Sequence, residues 1–208
     1  MTAYIWDLDG TLLDSYGVIV EAAARTAADE GINDPKDYIL KVVKQKSCTA
    51  YMEEIGSQCG KTVREVFAQY QKHTHALDDL ITLINGAKET LERLQEAGAV
   101  HFVYTHRGSS SEPILERLGV LKCFREVVTS MYGFAPKPSG EGVRFLVEKY
   151  GLDPEQTWYV GDRTLDVYCA KDAGVKALLF LAPDTCVEAT GQEDRIVKDL
   201  REIDSCGK

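Results

Sequence analysis

The chain opens with MTAYIWDLDGTLLDS (residues 1–15), in which a short β-branched and aromatic run is followed directly by a polar loop. Residues 3–6 have the composition of a buried strand, and Asp7, Asp9 and Gly10 come soon after them. In sheets of parallel strands, ligands bind beyond the carboxyl ends of the strands. We therefore expect the chemistry of this protein at the end of its first strand.

The pattern then changes twice along the chain. From about residue 16 to residue 75 it predicts helices only, with Gly or Pro at several of their ends. These helices are predicted at 18–30, 37–44, 50–58 and 62–75. Beyond residue 86, helices at 87–97, 112–118, 140–150 and 164–173 alternate with strands at 100–104, 126–128, 157–160 and 176–181. A further short helix is expected after about residue 190.

This order of elements indicates an α/β fold in two parts. Repeated alternation of strands and helices is typical of a parallel sheet with right-handed crossovers. We predict a three-layer α/β/α Rossmann-like core with a parallel sheet, formed by residues 1–14 and 80–208. Residues 15–79 are predicted to form an all-helical cap domain that is inserted after the first strand and closes over the site.

The composition is that of an ordinary globular protein with an excess of acidic residues. The 208 residues carry a formal net charge of −9, which disfavours a nucleic-acid partner because such binding is driven by cationic contacts. The start has no basic or apolar leader segment, and no uncharged apolar run is long enough to cross a bilayer. We therefore expect a soluble, cytoplasmic protein with no membrane partner. The sequence does not distinguish a monomer from a homodimer.

Four polar clusters come after predicted strands. They are Asp7-x-Asp9-Gly10-Thr11, Thr105-His106-Arg107, Lys137-Pro138 and Gly161-Asp162-x-x-x-Asp166. Because the carboxyl ends of parallel strands share one edge of a sheet, these clusters are expected to converge on one crevice. Together they could supply the nucleophile, the proton donor and the positive charge that hydrolysis of a phosphate ester requires.

The carboxylates suggest a nucleophile, an acid and a metal site. Two nearby carboxylates push their titrations apart, so we assign nucleophilic attack to Asp7 and proton transfer to Asp9. Mg²⁺ favours carboxylate oxygens and keeps several waters. We predict that Asp7, Asp162 and the backbone carbonyl of Asp9 hold this ion.

The remaining residues of the clusters suit contacts with a phosphoryl group. Lys137 offers a compact cation to the phosphate and to Asp7. The Thr105 hydroxyl can donate to a phosphate oxygen together with neighbouring backbone N–H groups. Asp166 lies one helical turn beyond Asp162 and is expected to orient Lys137 or the waters of the metal ion.

Taken together, DLDGTLLDS (7–15), VYTHRG (103–108), PKPSG (136–140) and VGDRTLD (160–166) resemble the four ordered motifs of the haloacid dehalogenase superfamily. The likeness is greatest to its phosphoglycolate-phosphatase-like hydrolases. It implies a mobile helical cap, an aspartyl-phosphate intermediate on Asp7, and Mg²⁺ as cofactor. It also implies phosphotransfer rather than carbon-halide chemistry, because the second acidic residue is present as Asp9. The expected substrate is a small phosphorylated metabolite.

Two positions depart from the pattern of the superfamily. His106 stands where many relatives have Asn, and Arg163 stands where many have Ser. The side chains of His106 and Arg107 are therefore expected to bind substrate in a way particular to this chain. Lys46, in the predicted cap, is a further candidate for a substrate contact.

Three other functions use similar residues. A phosphomutase of the β-phosphoglucomutase type has the same core but returns the phosphoryl group to a sugar. A phospho-accepting signalling domain also places Asp residues and a lysine at strand ends, although the helical insert and the Asp-x-Asp pair argue against it. A carbon-halide hydrolase is disfavoured by Asp9. The main prediction remains a Mg²⁺-dependent phosphatase.

Overall fold

The computed structural model, which describes residues 1–183 and 185–204, divides the chain into two units. One unit comprises Met1–Asp14 and the chain from Thr82 onward, and the other comprises Ser15–Ile81. The four predicted site clusters all belong to the first unit. None of the helices in the described part of the chain has the length and apolar character needed to cross a membrane.

A six-stranded sheet forms the middle of the first unit. Its strands are β1 (Ala3–Trp6), β4 (Val100–Tyr104), β5 (Phe124–Val128), β6 (Thr157–Gly161), β7 (Lys176–Phe180) and β8 (Arg195–Val197). Their order across the sheet is β5-β4-β1-β6-β7-β8, and every neighbouring pair is parallel. The expected α/β Rossmann-like fold with a parallel sheet is therefore confirmed.

One face of the sheet packs against the helices α7 (Glu141–Tyr150) and α8 (Thr164–Ala173). Ile5, Phe102 and Leu179 of three strands lie fully buried in this layer. Both helices begin in the loops that follow strand ends and end at a glycine, Gly151 or Gly174, which adopts the left-handed conformation that closes a helix.

The opposite face packs against α5 (Ala87–Glu96), and α6 (Ser111–Arg117) follows β4. Buried His101 ties this face to α5. Because the indole N–H of Trp6 can only donate, His101 accepts this bond at Nδ1 (3.1 Å) and donates from Nε2 to the Leu91 carbonyl (3.1 Å). With helices on both faces, the three-layer arrangement of the core follows.

The second unit contains four helices, α1 (Tyr16–Asp29), α2 (Lys36–Gln45), α3 (Cys48–Cys59) and α4 (Val63–His75). Polar residues just before two of them explain where they begin. The Ser47 side chain accepts a hydrogen bond from the Ala50 N–H at the start of α3. At the start of α4, Thr62 and Glu65 bond each other's backbone N–H groups in a capping box.

The predicted helix after residue 190 is wrong. Residues Arg195–Val197 instead form β8, which pairs with β7 at the edge of the sheet, and Leu200–Glu202 makes a single 3₁₀ turn. In β8, Val197 is buried while Ile196 is exposed. A strand this short among charged residues gives no alternation that sequence reasoning could detect. For the same reason, the two-residue strands β2 (Leu13–Asp14) and β3 (Thr82–Leu83) were not predicted.

Candidate active site

Three adjacent strands of the sheet end next to one another. Trp6, the last residue of β1, is in register with Val160 of β6, and β4 pairs with β1 on its other side. The backbone N–H of Asp7 donates to the Val160 carbonyl at 2.8 Å, which fixes the position of Asp7 beyond the strand. Thr105 and Asp162 follow the two neighbouring strands, so the expected convergence at one edge is present.

A buried lysine joins two of the predicted carboxylates. Nζ of Lys137 donates to Oδ1 of Asp7 and to Oδ1 of Asp166, each at 2.7 Å. The Lys137 side chain is 0% exposed, and those of Asp7 and Asp166 are 3% and 2% exposed. Since an unpaired charge at this depth would be very unfavourable, the three side chains hold one another in one arrangement.

Tyr159 completes the surroundings of this lysine and was not predicted from the sequence. Its hydroxyl accepts a hydrogen bond from Nζ of Lys137 (2.9 Å) and donates to the Tyr104 carbonyl (2.9 Å). Burial raises the pKa of Tyr159 well above its usual value, so the hydroxyl stays neutral. A tyrosine inside a buried strand is normally a core residue, and its place three residues before Asp162 was the only available signal.

The charged side chains of this cluster shift one another's pKa values. Burial raises the pKa of Asp7 to about 6, against the opposing effect of the Lys137 ammonium. Burial also acts to raise the pKa of Asp166, but the charges of Lys137 and Arg163 outweigh it and hold that pKa below its usual value. At Lys137 itself, the two carboxylates outweigh burial and raise the pKa, so the ammonium stays charged. Asp7, the candidate nucleophile, is thus the carboxylate whose charged form a further cation would stabilise.

The carboxylate oxygens of the site fit a divalent cation. One oxygen from each of Asp7, Asp162 and Asp166 lies within 4.8 Å of the others. Oδ2 of Asp7 is buried and accepts no hydrogen bond from the described residues. Both oxygens of Asp166 are already engaged, Oδ1 by Lys137 and Oδ2 by the backbone N–H of Arg163 (3.0 Å). Asp7 and Asp162 are therefore the side chains that would hold Mg²⁺. Binding of the ion by the backbone carbonyl of Asp9 stays a prediction.

A glycine at the end of β6 makes room for Asp166. A Cβ added to Gly161 would overlap Cβ, Cγ and Oδ2 of the Asp166 side chain. Any larger residue would therefore push Asp166 away from Lys137.

Thr105 and His106 occupy the end of β4. Oγ1 of Thr105 accepts a hydrogen bond from the Arg107 N–H (3.2 Å), and its own hydrogen has no acceptor among the described residues.

Burial lowers the pKa of His106 to about 3, with the charges of Lys137 and Arg163 adding to the effect. The neutral ring accepts the backbone N–H of Lys137 at Nε2 (2.8 Å). His106 thus contacts the loop that carries the lysine, and a substrate contact of its side chain stays a prediction.

Arg107 pairs with Asp9, a contact that was not predicted. Nε of Arg107 donates to Oδ1 (3.1 Å) and Oδ2 (3.3 Å) of Asp9, and Nη2 donates to Oδ1 (2.7 Å). The expected acid and an expected substrate-binding residue therefore contact each other.

Lys46, the candidate in the predicted cap, belongs to the second unit. It ends α2 and forms an exposed ion pair with Glu54 (3.2 Å). An exposed pair of this kind contributes little to stability. Its predicted contact with substrate stays a prediction.

The chain is similar to known hydrolases over most of its length. The family model described as haloacid dehalogenase-like hydrolase matches residues 4–180 of the chain. A pyrophosphatase, PpaX, of Oceanobacillus iheyensis is 26% identical over 96% of this chain and 93% of its own length. A phosphoglycolate phosphatase of Vibrio vulnificus is 29% identical over 81% of this chain and 78% of its own length.

A solved structure shows the same fold. A predicted phosphoglycolate phosphatase from Haemophilus somnus matches with a TM-score of 0.81, covering 97% of this chain and 96% of its own. Because the two sequences are only 22% identical, this likeness concerns the fold alone.

Proposed function

The chain belongs to the haloacid dehalogenase-like hydrolase family, and on this premise we propose that it is a Mg²⁺-dependent phosphatase that hydrolyses a small phosphate monoester through an aspartyl-phosphate on Asp7. Phosphatases among its relatives support action on small phosphorylated substrates. The choice of nucleophile rests on the geometry of this chain.

The state of the Asp7 carboxylate is the observation that carries the proposal. One of its oxygens is fixed by Lys137 at 2.7 Å, while the other is buried and has no hydrogen-bond donor among the described residues. A carboxylate held in place with one oxygen that no protein donor occupies is suited to attack on phosphorus, because the lone pairs of that oxygen are available. Asp166 has no such oxygen, since both of its oxygens accept hydrogen bonds. Oδ1 of Asp162 is also buried and accepts no hydrogen bond from the described residues, and the bond from Lys137 is what distinguishes Asp7 from it.

In the first step, an oxygen of Asp7 forms a bond to phosphorus as the bond from phosphorus to the ester oxygen breaks. Asp9 enters this step in its protonated form, gives its proton to the departing oxygen and becomes a carboxylate, and the leaving group departs as an alcohol. The Thr105 hydroxyl donates to a phosphoryl oxygen, while the Lys137 ammonium, whose three hydrogens are taken by Asp7, Asp166 and Tyr159, acts on the phosphoryl group through its charge alone. A Mg²⁺ ion bound at Asp7 and Asp162 would add charge stabilisation at the same oxygens.

In the second step, Asp9 takes a proton from a water molecule that attacks the phosphorus of the aspartyl-phosphate. The bond between phosphorus and the Asp7 oxygen breaks, inorganic phosphate is released, and both carboxylates return to their starting states. Lys137 keeps its two carboxylate partners and the Tyr159 hydroxyl around it, so its position is fixed before substrate binds.

The test is a phosphate-release screen over sugar phosphates, nucleotides and small phospho-acids with and without Mg²⁺. We expect release of inorganic phosphate that requires Mg²⁺ and is lost in Asp7→Asn. Persistence of hydrolysis in Asp7→Asn would contradict the assignment of the nucleophile. Isomerisation of a sugar phosphate without phosphate release would instead identify a phosphomutase.

Metal binding can be tested apart from activity. Mg²⁺ should raise the melting temperature of the wild-type protein, because an ion that binds only the folded state stabilises it. The shift should disappear in Asp162→Asn. An equal shift in both proteins would show that Asp162 does not hold the ion.

A further inference from the structure

In the contact between Arg107 and Asp9, the guanidinium is buried and held in place, while the carboxylate is partly exposed to solvent. The Arg107 side chain is 8% exposed and that of Asp9 is 22% exposed. Besides its three contacts with Asp9, Arg107 donates from Nη1 to Oγ of Ser110 (3.2 Å). The guanidinium is therefore held on two sides, and Asp9 is the partner that solvent can reach.

The proposed reaction places this guanidinium on the leaving-group side of the site. To protonate the ester oxygen, Asp9 must come within about 3 Å of it. Nη2 of Arg107 lies 2.7 Å from Oδ1 of Asp9. With Asp9 in its present position, the guanidinium would lie within about 6 Å of the ester oxygen, a distance that a substituent two or three bonds further along the leaving group can span.

The same contact conflicts with the proposed role of Asp9 as the proton donor. Both Asp9 oxygens accept hydrogen bonds from Arg107, Oδ1 from two nitrogens and Oδ2 from one. A guanidinium that donates to both oxygens favours the charged form of Asp9, whereas the first step needs the form that carries a proton, so Asp9 must separate from Arg107 before it acts. A carboxylate or phosphate on the substrate offers the guanidinium the same forked contact that Asp9 offers, whereas a neutral leaving group does not.

We propose that Arg107 is a specificity-determining residue that binds an anionic group on the leaving group, two or three bonds from the ester oxygen, and thereby releases Asp9. This inference rests on the proposed phosphatase function and narrows its substrate class. The preferred substrates are small phosphate compounds with a second anionic group, either a carboxylate or another phosphate.

The test compares substrates that differ only in this group. 2-Phosphoglycolate and 2-hydroxyethyl phosphate differ by a carboxylate in place of a hydroxymethyl group, and inorganic pyrophosphate supplies the second phosphate. We expect the wild-type kcat/KM for at least one of the two anionic compounds to exceed that for 2-hydroxyethyl phosphate about 10- to 100-fold. The anionic compound that is preferred identifies the group that Arg107 binds.

Variants assign the preference to Arg107. In Arg107→Met the preference should fall to near one, mainly through loss of activity on the anionic compound, while Arg107→Lys should keep part of it because a charge remains without the fork. Arg201→Met is the matched control, since Arg201 makes a similar forked contact with Asp199 (2.9 and 2.5 Å) outside the site. It should leave the preference unchanged. Melting temperatures of all three variants check that each is folded.

Two results would overturn the inference. One is a wild-type enzyme that hydrolyses 2-hydroxyethyl phosphate as well as both anionic compounds. The other is a preference that survives in folded Arg107→Met. Failure of the wild-type enzyme to release phosphate from any ester of the screen is a different result, and it would overturn the phosphatase function itself.

Discussion

Replacement of Lys137 by methionine is the substitution whose effects on stability and activity follow most directly from the structure. Lys137→Met keeps the length and the apolar stem of the side chain but removes the ammonium that lies 2.7 Å from both Asp7 and Asp166. Two buried carboxylates would then remain with no cation between them. We expect loss of both stability and activity, for this one electrostatic reason.

The size of the effect follows from the depth of the cluster. At 2.7 Å, each ion pair corresponds to roughly 6 kcal/mol of Coulomb attraction at an effective dielectric constant of about 20, most of which offsets the cost of desolvation. Removing one partner of a buried pair typically costs about 3–5 kcal/mol. The free energy of unfolding should fall by about this amount, and kcat should fall at least about 100-fold.

Urea unfolding and phosphate release would measure the two effects. Adding Asp166→Asn to Lys137→Met should recover about 1–3 kcal/mol, because it removes one orphaned charge, but should restore no hydrolysis. The control is Lys149→Met, which breaks a lysine pair with Glu126 at the surface (2.8 Å) and should cost at most about 1 kcal/mol. A Lys137→Met protein as stable and as active as the control would refute the reasoning.

Two further substitutions test other parts of the structure. Gly161→Ala should lower kcat by at least about tenfold because the new Cβ would displace Asp166 from Lys137, whereas Gly17→Ala, which meets no atom within 4 Å, should leave kcat unchanged; equal kcat values would contradict this. Burial lowers the pKa of His101 to about 4, so the folded protein binds its proton less readily than the unfolded chain does. The stability that neutral His101 supports is present above about pH 6.5 and is lost as the pH falls toward 4, which amounts to about 2 kcal/mol between pH 7 and pH 5. Urea unfolding at these two pH values should show a smaller loss in His101→Gln, and an unchanged loss would assign the effect elsewhere.

Much of the fold was readable from the sequence because its elements repeat regularly. The strand Val100–Tyr104 and the helix Thr164–Ala173 have the bounds that the pattern predicted, since the strand is a short buried run and Gly174 ends the helix. The edge strand Arg195–Val197 was not readable, because its position depends on pairing with β7 rather than on its own residues.

Within the site, order along the chain predicted which loops meet but not which side chains touch. The sequence placed Lys137 and Asp166 near Asp7 because the sheet brings their loops together. It did not reveal Tyr159, whose burial resembles that of any core tyrosine, or the contact between Arg107 and Asp9. That contact joins residues 98 positions apart, and no local pattern encodes it.

Chemical trapping of the phosphorylated enzyme tests the role of Asp7 most directly. Borohydride reduces an acyl phosphate, so quenching the enzyme with it during turnover of the fastest ester in the screen should convert Asp7 to homoserine, which mass spectrometry of the peptide detects. We expect this conversion at Asp7 with substrate present, and none without substrate or in Asp7→Asn. Steady hydrolysis with an unmodified Asp7, or conversion at Asp9 or Asp162 instead, would contradict it.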